Sequence, residues 1–250
     1  MAVIGIMSAM HEELAAVLAA MPDEQRVQVA GRDFWVGHWQ GHSVVAVLSR
    51  IGKVAAATTA TVLLERFAVD TLVFTGVAGG LGAEVRVGDV VVAQGLLQHD
   101  MDASPLFPRH EVPLYGRAHF EADAGLSAQL AAASQQVLAH AGQHLGAGTL
   151  AEFALNAPRV HQGLVISGDR FVSTSAESQA LRQALPEALA VEMEGAAVAQ
   201  VCLDYGMPFA AVRTISDRAD DDAHTDFNRF IRDVASRYSL AILSQWLMHR

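Results

Sequence analysis

Hydrophobic positions along the chain alternate between short apolar runs and longer segments with helical spacing. AVIGIM at residues 2–7 is an apolar run of the kind buried in a parallel sheet, and HEELAAVLAAM at 11–21 has helical spacing. The same patterns recur along the chain. They predict three strand pieces within 27–50, separated at Gly31 and Gly41, further strands at 71–82, 87–97, 163–172 and 207–217, and further helices at 52–67, 125–141 and 225–248.

This alternation predicts an α/β fold, a three-layer sandwich whose mixed, mainly parallel central sheet is flanked by helices. No repeat, low-complexity tract or linker interrupts the pattern, so we expect a single domain over residues 1–250. The stretch 98–122 is different, because it carries three prolines and no clear period. A loop of this length in a compact domain is typically a lid, a binding loop or an interface.

Composition narrows the function classes. A hydrophobic content of 52% with 18% charged residues indicates a packed globule, and a formal net charge of -10 argues against a nucleic-acid partner. The single cysteine, Cys202, cannot form an internal disulfide, which fits a reducing compartment. The first residues lack a basic leader, and no apolar run reaches the roughly 18 residues that span a bilayer. We therefore expect a cytoplasmic location and no membrane segment.

Residues that follow the predicted strands carry the candidate chemistry, because open α/β sheets bind ligands beyond the carboxyl ends of their strands. They include acids, small residues and one aromatic, without a cluster of arginines, which favours a neutral, hydroxyl-rich or heterocyclic ligand. The glycine run GVAGGLG has neither of the spacings typical of nucleotide-phosphate loops. The residues are Glu13, Ile51, Val77, Ala78, Gly79, Asp169, Phe171, Glu192, Met193, Glu194, Ser216 and Asp217.

Several of these acids also have a purely structural explanation. Glu13, Glu192 and Glu194 suit the first turn of a helix, where the helix dipole favours negative charge, and Asp217 suits a turn or a helix cap. Two further acidic groups look like metal sites. Neither has a recognised ligand spacing, so we predict solvated loops and no metal. They are His99-Asp100-Met101-Asp102 and Asp220-Asp221-Asp222 with His224.

Seven motifs together resemble the nucleoside phosphorylase and nucleosidase superfamily, and within it the bacterial 5'-methylthioadenosine/S-adenosylhomocysteine nucleosidases. The resemblance runs in order from about residue 2 to about 245. It implies hydrolysis of the N-glycosidic bond of an adenine nucleoside, giving adenine and a 5-substituted ribose, without a cofactor. The motifs are AMHEEL, IGKVAAA, FTGVAGGL, VGDVVVA, SGDRFV, VEMEGAAVA and RTISDRAD.

The resemblance also implies roles for the acids. Asp217 would protonate N7 of adenine, and Glu13 would orient and deprotonate the water that attacks C1'. Glu194 would accept hydrogen bonds from the ribose 2' and 3' hydroxyls, with Met193 packed beneath the sugar. Glu192 is expected to be an electrostatic and structural neighbour that helps to hold the substrate site. These roles require Asp217 to be protonated while Glu13 and Glu194 stay ionised, and we expect the helix N-terminus to favour the Glu194 anion.

The same resemblance places the adenine ring against Phe171, with the backbone of Val172 reading its edge. Ser216 would orient the general acid. Ala78 and Gly79 would supply closely approaching backbone near the ribose and the water.

Two further parts of the chain are expected to contact the substrate. Ile51 is assigned to the substrate site of its own chain. Within 98–122, Leu106, Phe107 and Pro113 are candidates to contact the ligand of the neighbouring subunit in a homodimer. This stretch selects the 5' group, so the sequence leaves methylthioadenosine, S-adenosylhomocysteine, 5'-deoxyadenosine and aminodeoxyfutalosine open.

Two other activities remain as alternatives. A phosphate-dependent methylthioadenosine phosphorylase needs an anion site, which Glu13 would repel and for which the loop Val77-Ala78-Gly79 offers no cation. A non-catalytic nucleoside-binding module needs neither a water activator nor an acid. Val77 itself departs from the family pattern, since a small hydroxyl residue often stands there and would make a polar contact near the ribose or water.

Overall fold

A computed structural model of the protein describes residues 2–220 and 227–250. The described strands are β1 (Val3–Ser8), β2 (Gln25–Val29), β3 (Arg32–Trp39), β4 (His42–Leu48), β5 (Thr71–Gly80), β6 (Val90–Gln98), β7 (His119–Glu121), β8 (Val160–Ser167), β9 (Ala188–Glu192) and β10 (Phe209–Asp217). The described helices are α1 (His11–Ala19), α2 (Lys53–Phe67), α3 (Ala124–Ala139), α4 (Ala141–Leu145), α5 (Ala147–Glu152), α6 (Ser175–Ala184), α7 (Gly195–Tyr205), α8 (Phe227–Phe230) and α9 (Ser236–Met248), with a π-helical turn at Ile231–Ala235.

All ten strands belong to one mixed sheet. Its open half runs β5-β1-β4-β3-β2, and the β5–β1 and β1–β4 pairs are parallel. In the other half, β10 pairs with both β5 and β6, and β8 and β9 complete a ring of five strands. The carboxyl ends of β1, β4, β5 and β10 therefore lie on one edge, and the residues after them can share a site.

Two apolar clusters pack on opposite faces of this sheet, which confirms the predicted layered α/β fold. One cluster joins the sheet to α1, α3 and α9, and the other joins it to α2 and α7. Cys202 lies in the second cluster, where burial raises the pKa of its thiol to about 12. Among the described residues, no helix has the length and apolar character to cross a membrane.

The predicted strands and helices are confirmed, with shifts of a few residues at their ends. The helix predicted at 225–248 is interrupted by the π-helical turn, and residues 225 and 226 lie outside the described part of the chain. The pattern missed β7 and β9 among the strands and α4, α5, α6 and α7 among the helices. Helix α6 buries only Ser178 among its ten residues, so it carries little hydrophobic signal, and its start is instead marked by Thr174, whose side chain accepts from the Glu177 N–H.

Candidate active site

Asp217 is the last residue of β10, and its carboxyl group is held from two sides. The Ser216 hydroxyl donates to Oδ2 at 2.7 Å, and the Ala219 N–H donates to Oδ1 at 2.7 Å. A Cβ at Gly79 would lie 3.0 Å from Oδ1 and 2.9 Å from the Ala219 Cβ. Glycine is needed there because β5 and the residues after β10 approach so closely.

Glu192 ends β9 and lies in a buried hydrogen-bond network. The Ser167 hydroxyl and the Gly195 N–H donate to its carboxylate, the latter at 2.8 Å to Oε2. Arg213 on β10 is 1% exposed, and its Nη2 lies 2.8 Å from the same oxygen. The predicted structural role of Glu192 thus has a matching geometry, in which one buried cation and several donors compensate its charge.

Glu194 stands two residues further on, at the N-cap of α7, with its side chain turned to a different partner. Its Oε1 accepts from the Gly52 N–H at 2.8 Å. Burial raises the pKa of Glu194 to about 7, and the charge of Glu192 adds to the shift. Loss of hydration therefore outweighs the helix N-terminus, which favours the anion.

Glu13 is the third residue of α1 and is fully buried. Its Oε2 accepts from the Met10 N–H at 3.2 Å, whereas Oε1 has no hydrogen-bond partner among the described residues. Burial raises the pKa of Glu13 to about 7, although the charge of Arg213 opposes this rise.

These environments correct one expectation from the sequence. Glu13 and Glu194 were expected to stay ionised, but burial raises the pKa of each to about 7, so both carboxyl groups hold a proton more readily than an exposed glutamate does. The physical reason is the depth of both side chains, which spacing along the chain does not reveal. The expected protonation of Asp217 stays a prediction.

A pocket beyond the strand ends is lined by Glu192, Glu194 and Asp217. Phe171 forms part of its wall, and its ring lies 6.0 Å from that of Phe227 at an interplanar angle of 75°. Glu13 lies buried behind Met10, whose backbone it accepts from, and is not part of the wall. The predicted site residues that line the pocket are Ile51, Ala78, Gly79, Phe171, Val172, Glu192, Met193, Glu194, Ser216 and Asp217.

Comparison with known proteins places this arrangement in a family. The sequence profile of the phosphorylase superfamily matches residues 3–245. The chain belongs to the phosphorylase superfamily. A 5'-methylthioadenosine/S-adenosylhomocysteine nucleosidase of Marinomonas sp. (strain MWYL1) is 37% identical over 243 residues, which cover 97% of both chains.

Solved structures of superfamily members share the fold over the whole chain. The nucleosidase of that name from Neisseria meningitidis, in complex with methylthio-immucillin-A, has a TM-score of 0.87 and 31% identity, with 100% of both chains covered. The futalosine hydrolase of Helicobacter pylori has a TM-score of 0.85 and 30% identity, covering 100% of this chain and 98% of that one.

The ligand-contact residues predicted within 98–122 lie away from the pocket that the other predicted site residues line. Leu106 is 84% exposed, Phe107 and Pro113 are partly exposed, and none of the three lines the pocket of its own chain. Their exposure leaves these side chains available for contact with a second subunit.

Sequence reasoning missed two residues of the site. Arg213 was quoted within a motif but given no role, although a charged residue inside the apolar run 207–217 indicates a buried partner. Phe227 lines the pocket from the start of the closing helix, and its position in the sequence gave no signal.

The first acidic group that resembles a metal site, at residues 99–102, is not assembled as one. Asp100 pairs with Lys53 at 2.6 Å, and Asp102 accepts from the Ser104 N–H at 3.0 Å. Within residues 2–220 and 227–250, no three histidine, cysteine or acidic side chains are grouped to hold a metal ion. Asp221, Asp222 and His224 lie outside the described residues.

Proposed function

We propose that this protein hydrolyses the N-glycosidic bond of 5'-substituted adenine nucleosides, the class that includes 5'-methylthioadenosine and S-adenosylhomocysteine. The products are adenine and a 5-substituted ribose. The observation that carries the proposal is that Glu194, from the β9–α7 junction, and Asp217, from the end of β10, line one pocket, while Glu13 of α1 lies bound to Met10 of the same pocket wall. The similar chains with nucleosidase names support the choice of substrate.

The reaction needs an acid and a base at opposite ends of one bond. As the C1'–N9 bond breaks, its electron pair moves to the purine and positive charge develops on the ribose ring. Asp217 protonates N7, which makes adenine a better leaving group, and the Ser216 hydroxyl orients Asp217. A water molecule attacks C1' and gives its proton to Glu13, whose Oε1 has no hydrogen-bond partner in the described part of the chain and can accept it.

The remaining contacts hold the nucleoside in position. Glu194 accepts hydrogen bonds from the 2' and 3' hydroxyls, and its backbone contact to Gly52 fixes the side chain. Met193 packs beneath the sugar and Phe171 against the base, next to Phe227. No cofactor takes part in this scheme.

Hydrolysis fits the site better than phosphorolysis. A phosphate needs available cations, but Arg213 is bound to Glu192, and Arg170 at the pocket rim is bound to Glu177. An anion beside Glu13 is also repelled whenever that carboxyl group is ionised.

The first experiment is an incubation with methylthioadenosine, with and without phosphate. We expect adenine and free methylthioribose at the same rate in both, and a decrease of about 10²- to 10⁴-fold for Asp217→Asn. Phosphate-dependent formation of methylthioribose 1-phosphate would overturn the proposal, and binding without adenine release would support a non-catalytic module. Chromatography with mass detection identifies both products.

We also propose a cytoplasmic homodimer in which 98–122 covers the site of the neighbouring subunit. The exposure of Leu106 supports this, as does that of Leu114, which is 92% exposed. A complementation experiment tests the arrangement. Leu106→Asp and Glu13→Gln should each be weakly active, and mixing them after partial unfolding should restore activity, because a hybrid has one site with an intact Glu13 and an intact neighbouring loop. Mixtures no more active than their components contradict the arrangement.

A further inference from the structure

A second cleft adjoins the pocket and has no role in the scheme above. The two cavities share Ala9, Met10 and Ile51 as lining residues, so they meet at this point. The second cleft is the larger one, with a volume of about 810 Å³ against about 140 Å³ for the pocket. A ligand in the pocket can therefore extend into it past Ile51.

The order of strands shows which end of the ligand points that way. Neighbouring strands lie about 4.8 Å apart, and β10, β5, β1, β4 and β3 follow one another across the sheet. Asp217, the proposed acid for the base, lies on β10, whereas Ile51 follows β4, three strands or about 14 Å away. The base therefore lies at the far end, and the 5' substituent points toward β4 and β3.

The walls of the second cleft combine apolar and positively charged groups. Its apolar lining residues include Leu14 and Leu18 of α1 and Trp35 and Leu48 of the sheet. Such walls suit a thioether, an alkyl chain or an aromatic ring. Its charged lining residues are Arg32, Asp33 and Arg50.

Arg32 and Arg50 differ in how many of their N–H groups already have hydrogen-bond partners. Arg32 donates to the Thr59 hydroxyl at 2.7 Å and to the Ala55 carbonyl at 3.2 Å, so it braces β3 against α2. Arg50 donates through Nη2 to the Gly31 carbonyl, and its Nε and Nη1 have no hydrogen-bond partner among the described residues. Arg50 therefore has donors available for a ligand.

Two further features distinguish Arg50, namely its backbone conformation and its closeness to another positive charge. Its φ is +64°, a region that residues other than glycine rarely adopt. Burial and the nearby charge of Arg50 both lower the pKa of Arg32, so the two like charges act on each other. Asp33 offsets them little, because its Oδ1 is bound at 2.9 Å to Nε of Arg26. An anionic group would relieve this repulsion.

We propose that the second cleft binds a 5' substituent ending in a carboxylate, and that Arg50 is the residue that binds this carboxylate. The inference rests on the proposed function and narrows its substrate class. An amino-acid tail, as in S-adenosylhomocysteine, and an aromatic acid share this chemistry. Either Nε or Nη1 of the guanidinium can donate a charge-assisted hydrogen bond to an oxygen of such a group.

The test compares substrates that differ only beyond the 5' carbon. They are methylthioadenosine, S-adenosylhomocysteine, the carboxamide of S-adenosylhomocysteine, and an adenosine whose 5' thioether carries a benzoate. We expect Arg50→Gln to lower the ratio of kcat/KM for the carboxylates to that for methylthioadenosine by about 5- to 30-fold. Arg50→Lys should lose less, and Arg66→Gln, a matched loss of charge at an exposed position of α2, should leave the ratio unchanged.

A second measurement needs no variant. In the unaltered protein the carboxamide should react about 5- to 30-fold less well than the acid, and added salt should reduce this advantage. Equal kcat/KM for acid and carboxamide, or an unchanged ratio in Arg50→Gln, would overturn the inference. A larger effect on the benzoate than on S-adenosylhomocysteine would identify the aromatic acid as the ligand. Failure to release adenine from methylthioadenosine would instead contradict the proposed function.

Discussion

Glu13 and Glu192 are both buried carboxyl groups, yet their surroundings are opposite. Glu192 is paired with Arg213 and accepts from the Ser167 hydroxyl and the Gly195 N–H. Glu13 accepts one backbone hydrogen bond and leaves Oε1 without a partner among the described residues. A carboxylate whose charge is compensated holds a fold together, whereas one left uncompensated can exchange a proton near neutral pH.

The largest expected effect is on catalysis at Glu13. Replacing Glu13 with Gln keeps the size of the side chain and removes the proton acceptor, so adenine release should fall by about 10²- to 10⁴-fold. Glu12→Gln is the matched control, because Glu12 is exposed in the same turn of α1. Single-turnover rates measure both. Activity of Glu13→Gln within a few fold of the unaltered protein would place the base elsewhere.

At Glu192 the main effect should be on stability. Glu192→Gln leaves the buried charge of Arg213 uncompensated, which should lower the free energy of unfolding by about 3–5 kcal/mol. Urea titration measures the change, and Glu187→Gln on the exposed start of the same segment should have little effect.

A double variant separates charge from packing at this position. Glu192→Gln with Arg213→Met removes both charges and should be more stable than Glu192→Gln alone. If the two variants unfold at the same urea concentration, the ion pair does not carry the stability of this network.

The sequence predicted that Glu13 and Glu192 lie near the site. It did not predict that the charge of Glu192 is compensated whereas that of Glu13 is not. The motifs placed Glu13, Met193 and Asp217 after predicted strands, and the structure brings them to one edge of the sheet. The pairing of Glu192 with Arg213 depends on a strand order that does not follow the chain, because β9 and β10 lie in one closed ring. The raised pKa values likewise depend on side chains distant in sequence, which remove water from the site.

The sequence pattern predicted the irregular structure of the 98–122 stretch but not the surface that this stretch contacts. Its missing periodicity correctly indicated an irregular segment, and the structure contains only the short β7 strand and an isolated bridge between Val112 and Arg117 there. Which surface Leu106 contacts depends on a second subunit, so neither the pattern nor one chain can determine it.

The same substitution should have opposite effects on stability at the two acids. The pKa of Glu13 is about 7 in the folded protein, whereas its ordinary value is 4.5. At any pH between these two values, the folded protein therefore holds a proton on Glu13 that the unfolded chain has lost. As pH rises from 4.5 to 7, this group therefore lowers stability. Between pH 5 and pH 8, the stability of Glu13→Gln relative to the unaltered protein should rise by about 2–3 kcal/mol.

Urea titrations at the two pH values test this sign directly. Glu12→Gln serves again as the control, since its exposed carboxyl group has no burial to relieve. A pH-independent difference between Glu13→Gln and the unaltered protein would mean that Glu13 is ionised in the folded state throughout this range.

The smallest expected effect concerns the orientation of the Asp217 carboxyl group. The hydrogen bonding of this group is intermediate between that of Glu13 and that of Glu192. Its Oδ2 accepts from Ser216 and its Oδ1 from the Ala219 N–H, so removing one donor leaves the other in place. Ser216→Ala should therefore lower kcat by only about fivefold, which corresponds to about 1 kcal/mol, and Ser216→Thr should retain most of the rate because it keeps the hydroxyl. A drop as large as that of Asp217→Asn would show that the remaining contacts of Asp217 cannot hold the acid, and that Asp217 depends on its neighbours as Glu192 does.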